Sequence, residues 1–438
     1  MPSKIKTIIG ITSVLLLIII VWAVWTIKTE PEPKGTGPIT ELKFWGLQSP
    51  EVWINYWNEA ISRFEAQNTG VKVLFKTPKA RGMSTVISSL DIAFKSNTAP
   101  DVFQGAIFML ATGAEKNWFE PLDRYIAKWR DKRDIIDQAY EKGTYKGKVY
   151  GIGFEMSSRL IVYRKDYFKE AGLDPERPPE TWEEVADCAV KLTKRDGYGV
   201  TRSGFNILSD GSSFFAPFVR QNGGDFLTKD DKPAINSPEW VETLGYFTDL
   251  VANKKVNIIT NKAENRANNL FLNGKAAISQ LWADELRKLL NSDPSWREKI
   301  GIIDIKRKKP SVWAGCDFPF IMSNSKHKDL AWKFVKFIFS PDEMWQRYKE
   351  TKCTVVRKSL MERYFEDDPF LNKAIWNGML IGDGAAKVPW YGKMDEQISK
   401  AMEESFHEGK PPAKAMDEAM ESLLKEIESF GTEEGKPQ

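Results

Sequence analysis

Histidine and cysteine are scarce. Only His327 and His407, and only Cys188, Cys316 and Cys353, occur in 438 residues. Multi-histidine zinc sites and the commonest acid/base side chain are therefore almost unavailable, and three cysteines without metal-ligand spacing make no disulfide scaffold. An excess of one charge is missing too, with 63 Lys and Arg against 60 Asp and Glu, a formal +3. Four Lys and two Glu lie within residues 1–34, which leaves about +1 for everything after them. A nearly neutral body has no broad basic footprint, so no nucleic-acid partner is expected. Gly151-Ile-Gly153 and Gly382-Asp-Gly384 lack the third glycine of a dinucleotide turn, and no Gly-Lys-Ser/Thr closes a phosphate loop. There is no Gly-x-Ser-x-Gly elbow and no repeat of 20 to 50 residues. Among 60 acidic residues, a glycosidase pair about 5 to 9 Å apart stays possible.

What is present is a globular composition, 42% hydrophobic and 28% charged, at a length that predicts two or three domains of about 150 residues. The 16 Trp, 25 Phe and 12 Tyr suit either a core or a surface for flat hydroxylated ligands, and composition does not separate these. One long uncharged run, residues 8–27 (IIGITSVLLLIIIVWAVWTI), would span roughly 30 Å as a helix, the thickness of a bilayer core. Lys4 and Lys6 precede it, while Lys28, Glu30, Glu32 and Lys34 cancel beyond it. The positive-inside rule then puts residues 1–7 in the cytoplasm and the body outside. A cleaved signal peptide is the alternative, but the run is long for one, no small-x-small site follows it, and no Cys stands at its end to take a lipid. Residues 28–39, rich in Pro and Gly, form a tether.

In the body, Leu42 and Phe44 alternate with Glu41 and Lys43 as in a strand, and Val52, Trp53, Tyr56, Trp57, Ala60, Ile61 and Phe64 repeat at helical spacing. A second strand at residues 71–75 and a second helix carrying Met83, Val86, Ile87, Leu90 and Phe94 follow, an alternation that implies a mainly parallel sheet. Thr181 with Glu184, Ser237 with Pro238, and Ser340 with Pro341 and Glu343 mark helix starts. A last helix carries the core stripe Met416, Ala419, Met420, Leu423, Leu424 and Ile427.

Several segments, taken in order, resemble the extracellular solute-binding proteins of ABC importers, the sugar and oligosaccharide family that includes maltose-binding protein. They are Leu42-Lys-Phe-Trp45-Gly46, Ala99-Pro-Asp101-Val, Glu120-Pro-Leu-Asp123, Gly147-Lys-Val-Tyr-Gly151, Val162-Tyr-Arg-Lys-Asp166-Tyr-Phe168, Thr181-Trp-Glu-Glu, Gln221-Asn-Gly-Gly224, Phe271-Leu-Asn-Gly-Lys-Ala-Ala277 and Ala331-Trp-Lys-Phe. The resemblance covers nearly the whole body after the tether, with Arg164 where the family usually has Asn. It implies an α/β, two-lobe periplasmic-binding-protein-like fold with hinge strands and an interlobe cleft, here preceded by one N-terminal transmembrane helix. Lobe one would comprise residues 40–153 and 317–355, and lobe two residues 155–312 and 358–430. The crossings would fall near residues 153–158, 313–317 and 355–358. Gly105 stands near where some relatives place a cleft aromatic.

A sugar offers apolar C–H faces and a ring of hydroxyls, so its binder needs aromatic platforms and carboxylates or amides. On the matched loops the resemblance implies ligand contacts from Gln48 and Ser49 after the first strand, at the carboxyl end where open α/β sheets bind ligands. It further implies Glu155 at the first crossing, Trp282 as a stacking ring with Asp284 behind it, Trp313 at the second crossing, and Trp390 and Tyr391 in a third aromatic loop. Asp101 is either a ligand contact or a partner for backbone amides around Ala99-Pro100. Arg357 either bonds ligand or pairs with a carboxylate in the hinge. Cys316 and Cys353 both flank crossings, and an oxidising exterior would permit a bond between them.

The resulting expectation is a cell-membrane, single-pass, monomeric receptor with its body on the extracytoplasmic side. It would capture a sugar or oligosaccharide and deliver it to an ABC permease, with no catalytic step, cofactor or metal. A tethered glycoside hydrolase and a ligand-sensing ectodomain are the alternatives.

Overall fold

The first strand, β1 (Thr40–Trp45), buries Leu42 and Phe44 and exposes Glu41 and Lys43, the period of two that a half-buried strand requires. It opens the part of the chain that the computed structural model describes, residues 38–47, 51–78, 83–208, 211–258 and 270–434. The apolar run 8–27, Gln48 and Ser49 lie outside these residues. Among the described residues, no helix is long and apolar enough to cross a membrane.

Helix Glu51–Gln67 follows, burying Trp53, Tyr56, Trp57, Ala60, Ile61 and Phe64. Val52, expected on the same face, is exposed, and it lies at the mouth of a cavity described below. Gly70, at φ +86°, turns the chain into β2 (Val71–Lys76), a conformation that a Cβ would strain. β2 lies parallel to β1, and β3 (Val102–Ala106) lies parallel on the other side of β1. With helix Met83–Lys95 between β2 and β3, this first part is a parallel βαβαβ unit of the kind its alternation predicts.

The rest of the sheet departs from that parallel pattern. A small hairpin, β4 (Thr144–Tyr145) with β5 (Lys148–Val149), stands apart, and the next long strand is β6 (Glu155–Arg164). After it come β7 (Lys194–Asp196), β8 (Gly199–Asn206), β9 (Ala276–Trp282), β10 (Ile300–Ile303) and β11 (Ala314–Ile321). The order is β2-β1-β3-β11-β6-β9-β8-β7, with β10 also on β6. β11 is antiparallel to both β3 and β6, and β6 is antiparallel to β9 and β10. The reason lies in β6, which changes neighbours along its length. Its residues 155–158 pair with β11, whereas 159–163 pair with β9 and 161–164 with β10. A strand passing from one half of the molecule to the other must leave one set of neighbours for another, and the chain that returns beside it runs the opposite way. Both faces of β6 are covered, so its sequence is almost continuously buried.

Local signals are formed as the sequence predicts at Thr181, whose Oγ1 accepts from the Glu184 amide while Glu184 Oε2 accepts from the Thr181 amide. Ser340 Oγ likewise accepts from the Glu343 amide. The Ser237 hydroxyl instead donates to Glu239 Oε2, 2.8 Å away. In the last helix, Pro412–Glu434, Met416, Ala419 and Leu423 are buried, but Leu424 is exposed. Most aromatics serve the core. Trp57 meets Phe44 edge-on at 4.7 Å and stacks on Phe154 at 5.3 Å, and Phe205, Phe214, Phe218 and Phe247 form a second cluster around β8. Gly105 belongs to this packing, since a Cβ there would lie 2.6 Å from the Phe103 ring.

Candidate functional site

The first residue of β6, Glu155, pairs with Asp317 of the antiparallel β11. These carboxylates line a cavity of about 430 Å³ together with Trp53, Trp282, Asp284 and Thr354. Burial pushes the Glu155 carboxyl up to about 8, with Asp317 and Asp284 adding to the rise and Arg347 opposing it. Burial likewise raises Asp317 to about 6, against a hydrogen bond from Gln104 Nε2 at 3.5 Å. Burial and the neighbouring acids thus favour the protonated form of Glu155, in which a carboxyl can donate as well as accept a hydrogen bond.

Trp282 comes to the cavity because β9 ends there and pairs it with Arg159 of β6. Its backbone amide donates to Glu285 Oε2 at 2.9 Å, fixing the start of helix Ala283–Ser292. The half-buried ring reaches over β11, where a Cβ on Gly315 would stand 3.2 Å from it; glycine there is what lets the indole lie against the crossing. The Arg159 guanidinium sits 4.9 Å from the ring centroid, a cation–π contact that holds the platform in place. Asp284, in the first turn of the helix, is exposed and pairs with Lys288 at 3.3 Å.

Two other concavities differ from this one. A cavity of about 420 Å³ holds Trp390 with Thr112, Lys116, Trp118 and Lys393, so Trp282 and Trp390 line separate spaces. A groove of about 1170 Å³ is lined by Arg63, Arg124, Trp129, Trp332 and Glu343 among others. It is larger, but its lining comes from residues 63–68, 124–131 and 329–346, and neither Glu155 nor Trp282 is among them. Among the described residues, no group of three or more His, Cys, Asp or Glu is arranged to hold a metal ion.

Residues 51–345 match the family described as bacterial extracellular solute-binding protein. The chain belongs to that family. It is 27% identical over 252 residues to the sn-glycerol-3-phosphate-binding periplasmic protein of Escherichia coli (strain K12), covering 55% of this chain and 56% of that one. Its fold is similar to an ABC transporter solute-binding protein of Thermotoga lettingae bound with alpha-D-tagatose, at TM-score 0.73 and 24% identity, over 88% of this chain and 99% of the other. It is similar also to the sugar-binding protein MalE of Xanthomonas citri, at TM-score 0.75 and 21% identity, over 91% and 100%. This is the α/β periplasmic-binding-protein fold, and the chain is an extracellular solute-binding protein, a receptor and not an enzyme.

In this binding protein several of the expected contact residues are committed elsewhere. Asp101 accepts from the Lys43 amide at 2.8 Å and from the Ser325 hydroxyl, tying β1 to the turn after β11 rather than bonding amides around Ala99-Pro100. Arg357 is buried, with Nη1 on Asp134 at 2.7 Å, Nη2 on Asp131 at 2.8 Å and Nε donating to the Phe339 carbonyl. Trp313 is buried beside the crossing, its carbonyl accepting from the Arg159 amide at 2.8 Å. Tyr391 is buried with its hydroxyl 2.7 Å from Ser212 Oγ. None of these four lines the cavity of Glu155 and Trp282. Cys316 and Cys353 do line it, both as free thiols. Asp317, Trp53 and Thr354 were not singled out as contacts from the sequence, because only the register of β6 with β11 sets Asp317 against Glu155 and only tertiary packing brings Trp53 and Thr354 to the same cavity.

Proposed function

We propose that the ligand is a sugar or oligosaccharide, captured between two lobes that close on it and delivered to an ABC permease. The observation that supports this reading is the joint presence of an indole platform, Trp282, and two carboxyls, Glu155 and Asp317, in one cavity. An indole stacks on C–H faces, and a carboxyl pair accepts and donates to hydroxyls. The sugar-bound neighbours agree with it. The glycerol-phosphate-binding relative favours a phosphate ester instead, but two carboxylates in the same cavity would repel a dianion. A thermal-shift screen decides between them: a sugar at 100 times its dissociation constant should add about 2.7 kcal/mol of stability. A response to glycerol phosphates alone overturns the sugar reading.

The lobes of this proposal are residues 40–153 with 317–355 and residues 155–312 with 358–430, and ligand should reduce the radius of gyration in small-angle scattering as the cleft closes. An unchanged radius at saturation contradicts closure. The uncharged run at residues 8–27 and the lysines before it support a membrane anchor with the body outside. Protease added to intact cells should then remove the C-terminal region, and a protected C-terminus overturns that topology.

A further inference from the structure

Glu155 and Asp317 stand directly opposite each other on β6 and β11, and residues so paired project to one face of a sheet with Cβ atoms about 5 Å apart. Like charges in that position destabilise a sheet unless something positive lies between them. The cations that line the same cavity are committed elsewhere. Arg287 donates to Asn372 Oδ1 at 2.7 Å and lies 3.7 Å from Asp368, Lys288 pairs with Asp284 at 3.3 Å, and Lys352 pairs with Asp367 at 3.1 Å. Glu350, the remaining acid of the lining, accepts from Gln346 Nε2 at 2.6 Å.

Behind the wall, Arg347 of helix Pro341–Thr351 acts on Glu155 through its charge, but its Nε donates to Cys353 Sγ and its guanidinium lies on the Phe154 ring. Among the described residues, the only hydrogen bond to either carboxyl is the one from Gln104 Nε2 to Asp317 Oδ2, at 3.5 Å. One indirect positive charge therefore faces two acids. Both acids are half-buried and open onto a space of about 430 Å³ that Trp53 and Trp282 also line. An indole face attracts a cation as well as a C–H face, and Trp282 holds the Arg159 guanidinium at 4.9 Å. A bare metal ion does not fit, because among the described residues no third Asp, Glu, His or Cys stands with the pair to complete a coordination set. The missing cation belongs to the ligand.

We propose that the ligand is an amino sugar, its protonated amine held between Glu155 and Asp317 and its ring lying on Trp282. This rests on the ligand being a sugar and narrows which sugar it is. A primary ammonium has three protons, so it donates to both carboxyls at once, which a hydroxyl with one proton does not. Its charge-assisted bonds are also the stronger ones. N-acetylation removes the charge and should remove the preference with it.

The full chain in detergent is titrated calorimetrically at neutral pH with glucosamine, galactosamine, mannosamine and short chitosan oligosaccharides, each beside its hydroxyl parent and its N-acetyl counterpart. At least one amine should bind about tenfold or more tightly than both of its neutral counterparts. Asp317→Asn, which keeps the shape and one acceptor oxygen, should bring that ratio close to one, with a melting curve to check its fold; the wild-type ratios decide alone if it misfolds. Neutral sugars that bind as tightly as their amines overturn the amine and leave the sugar reading standing. Binding by no sugar, charged or neutral, overturns both. Ethanolamine is the control, since an amine that binds as tightly without a sugar ring overturns the sugar reading and this proposal with it. A preference that survives in folded Asp317→Asn overturns the seat between the two carboxyls.

Discussion

Arg357 and Glu155 sit on neighbouring crossings between the two halves, close enough that the Thr354 hydroxyl donates to the Met156 carbonyl, yet one is saturated and the other is bare. Arg357 makes three bonds, to Asp131, Asp134 and the Phe339 carbonyl. Burial pushes Asp134 up, but the Ser359 hydroxyl and amide together with Arg357 outweigh it and hold its carboxyl below the usual range. The Glu155 carboxyl makes no hydrogen bond within the described residues, and burial and Asp317 push it up. A buried charge with every valence filled by its own chain has nothing to offer a ligand. A carboxyl left open toward a cavity does, and that difference separates the hinge from the binding surface better than residue type does.

The largest expected effect breaks the comparison from the hinge side. Arg357→Met leaves Asp131 and Asp134 without their cation and should cost about 3 to 5 kcal/mol of stability, as breaking a buried pair does. Urea denaturation measures it. Unchanged stability with lost ligand affinity would make Arg357 a ligand contact and dissolve the distinction.

On the cleft side, Trp282→Ala should cost about 2 kcal/mol or more in affinity by calorimetric titration, as for a buried aromatic anchor. The melt should move little, because the ring is half-buried and packs on Gly315 and Arg159. A stability loss of about 3 to 5 kcal/mol with affinity retained in the folded fraction would make it core.

These two residues also show what was legible in the sequence. The order of motifs sufficed for the fold, and the box at Thr181 and Glu184 was legible because both halves of it lie within one helical turn. Trp282 reached the cavity because it ends a strand whose direction the motif order implied. The saturation of Arg357 was not legible, since its partners stand more than 220 positions away in the chain. Asp317 was hidden for the same reason, because only the pairing of β6 with β11 sets it against Glu155. Val52 and Leu424 fit a helical period and are exposed nonetheless, because a period names a face without saying where its edge falls.

A smaller effect follows from the raised carboxyls. Glu155 faces Asp317 from β11, Asp284 from helix Ala283–Ser292 and Arg347 from helix Pro341–Thr351. Its folded value, about 8, exceeds the unfolded value of about 4.3, so the folded state holds the extra proton between them. The contribution of this carboxyl to stability is therefore greatest below about pH 4, falls as pH rises toward about 8, and levels off beyond. Glu155→Gln should flatten that fall and stabilise the protein at pH 8 by roughly 1 to 2 kcal/mol. A slope unchanged by the substitution would mean that Glu155 ionises freely and that the contrast with Arg357 is not one of charge.

The finest test concerns Asp284, which shares the cavity with Glu155 but lies at its exposed rim. Its pair with Lys288 is one turn apart on a helix and open to solvent at both ends, and such pairs contribute little because water screens them. The favourable place of an acid near a helix N-terminus adds a few tenths, so Asp284→Asn should change stability by less than about 1 kcal/mol in urea. Asn keeps the size and one acceptor oxygen while losing the charge. If the rim carboxylate accepts a ligand hydroxyl as the floor pair does, affinity should fall by about 0.5 to 1.5 kcal/mol, the net worth of one hydrogen bond. Calorimetry of this variant beside Glu155→Gln then ranks rim against floor, and an affinity untouched by Asp284→Asn confines recognition to Trp282, Glu155 and Asp317.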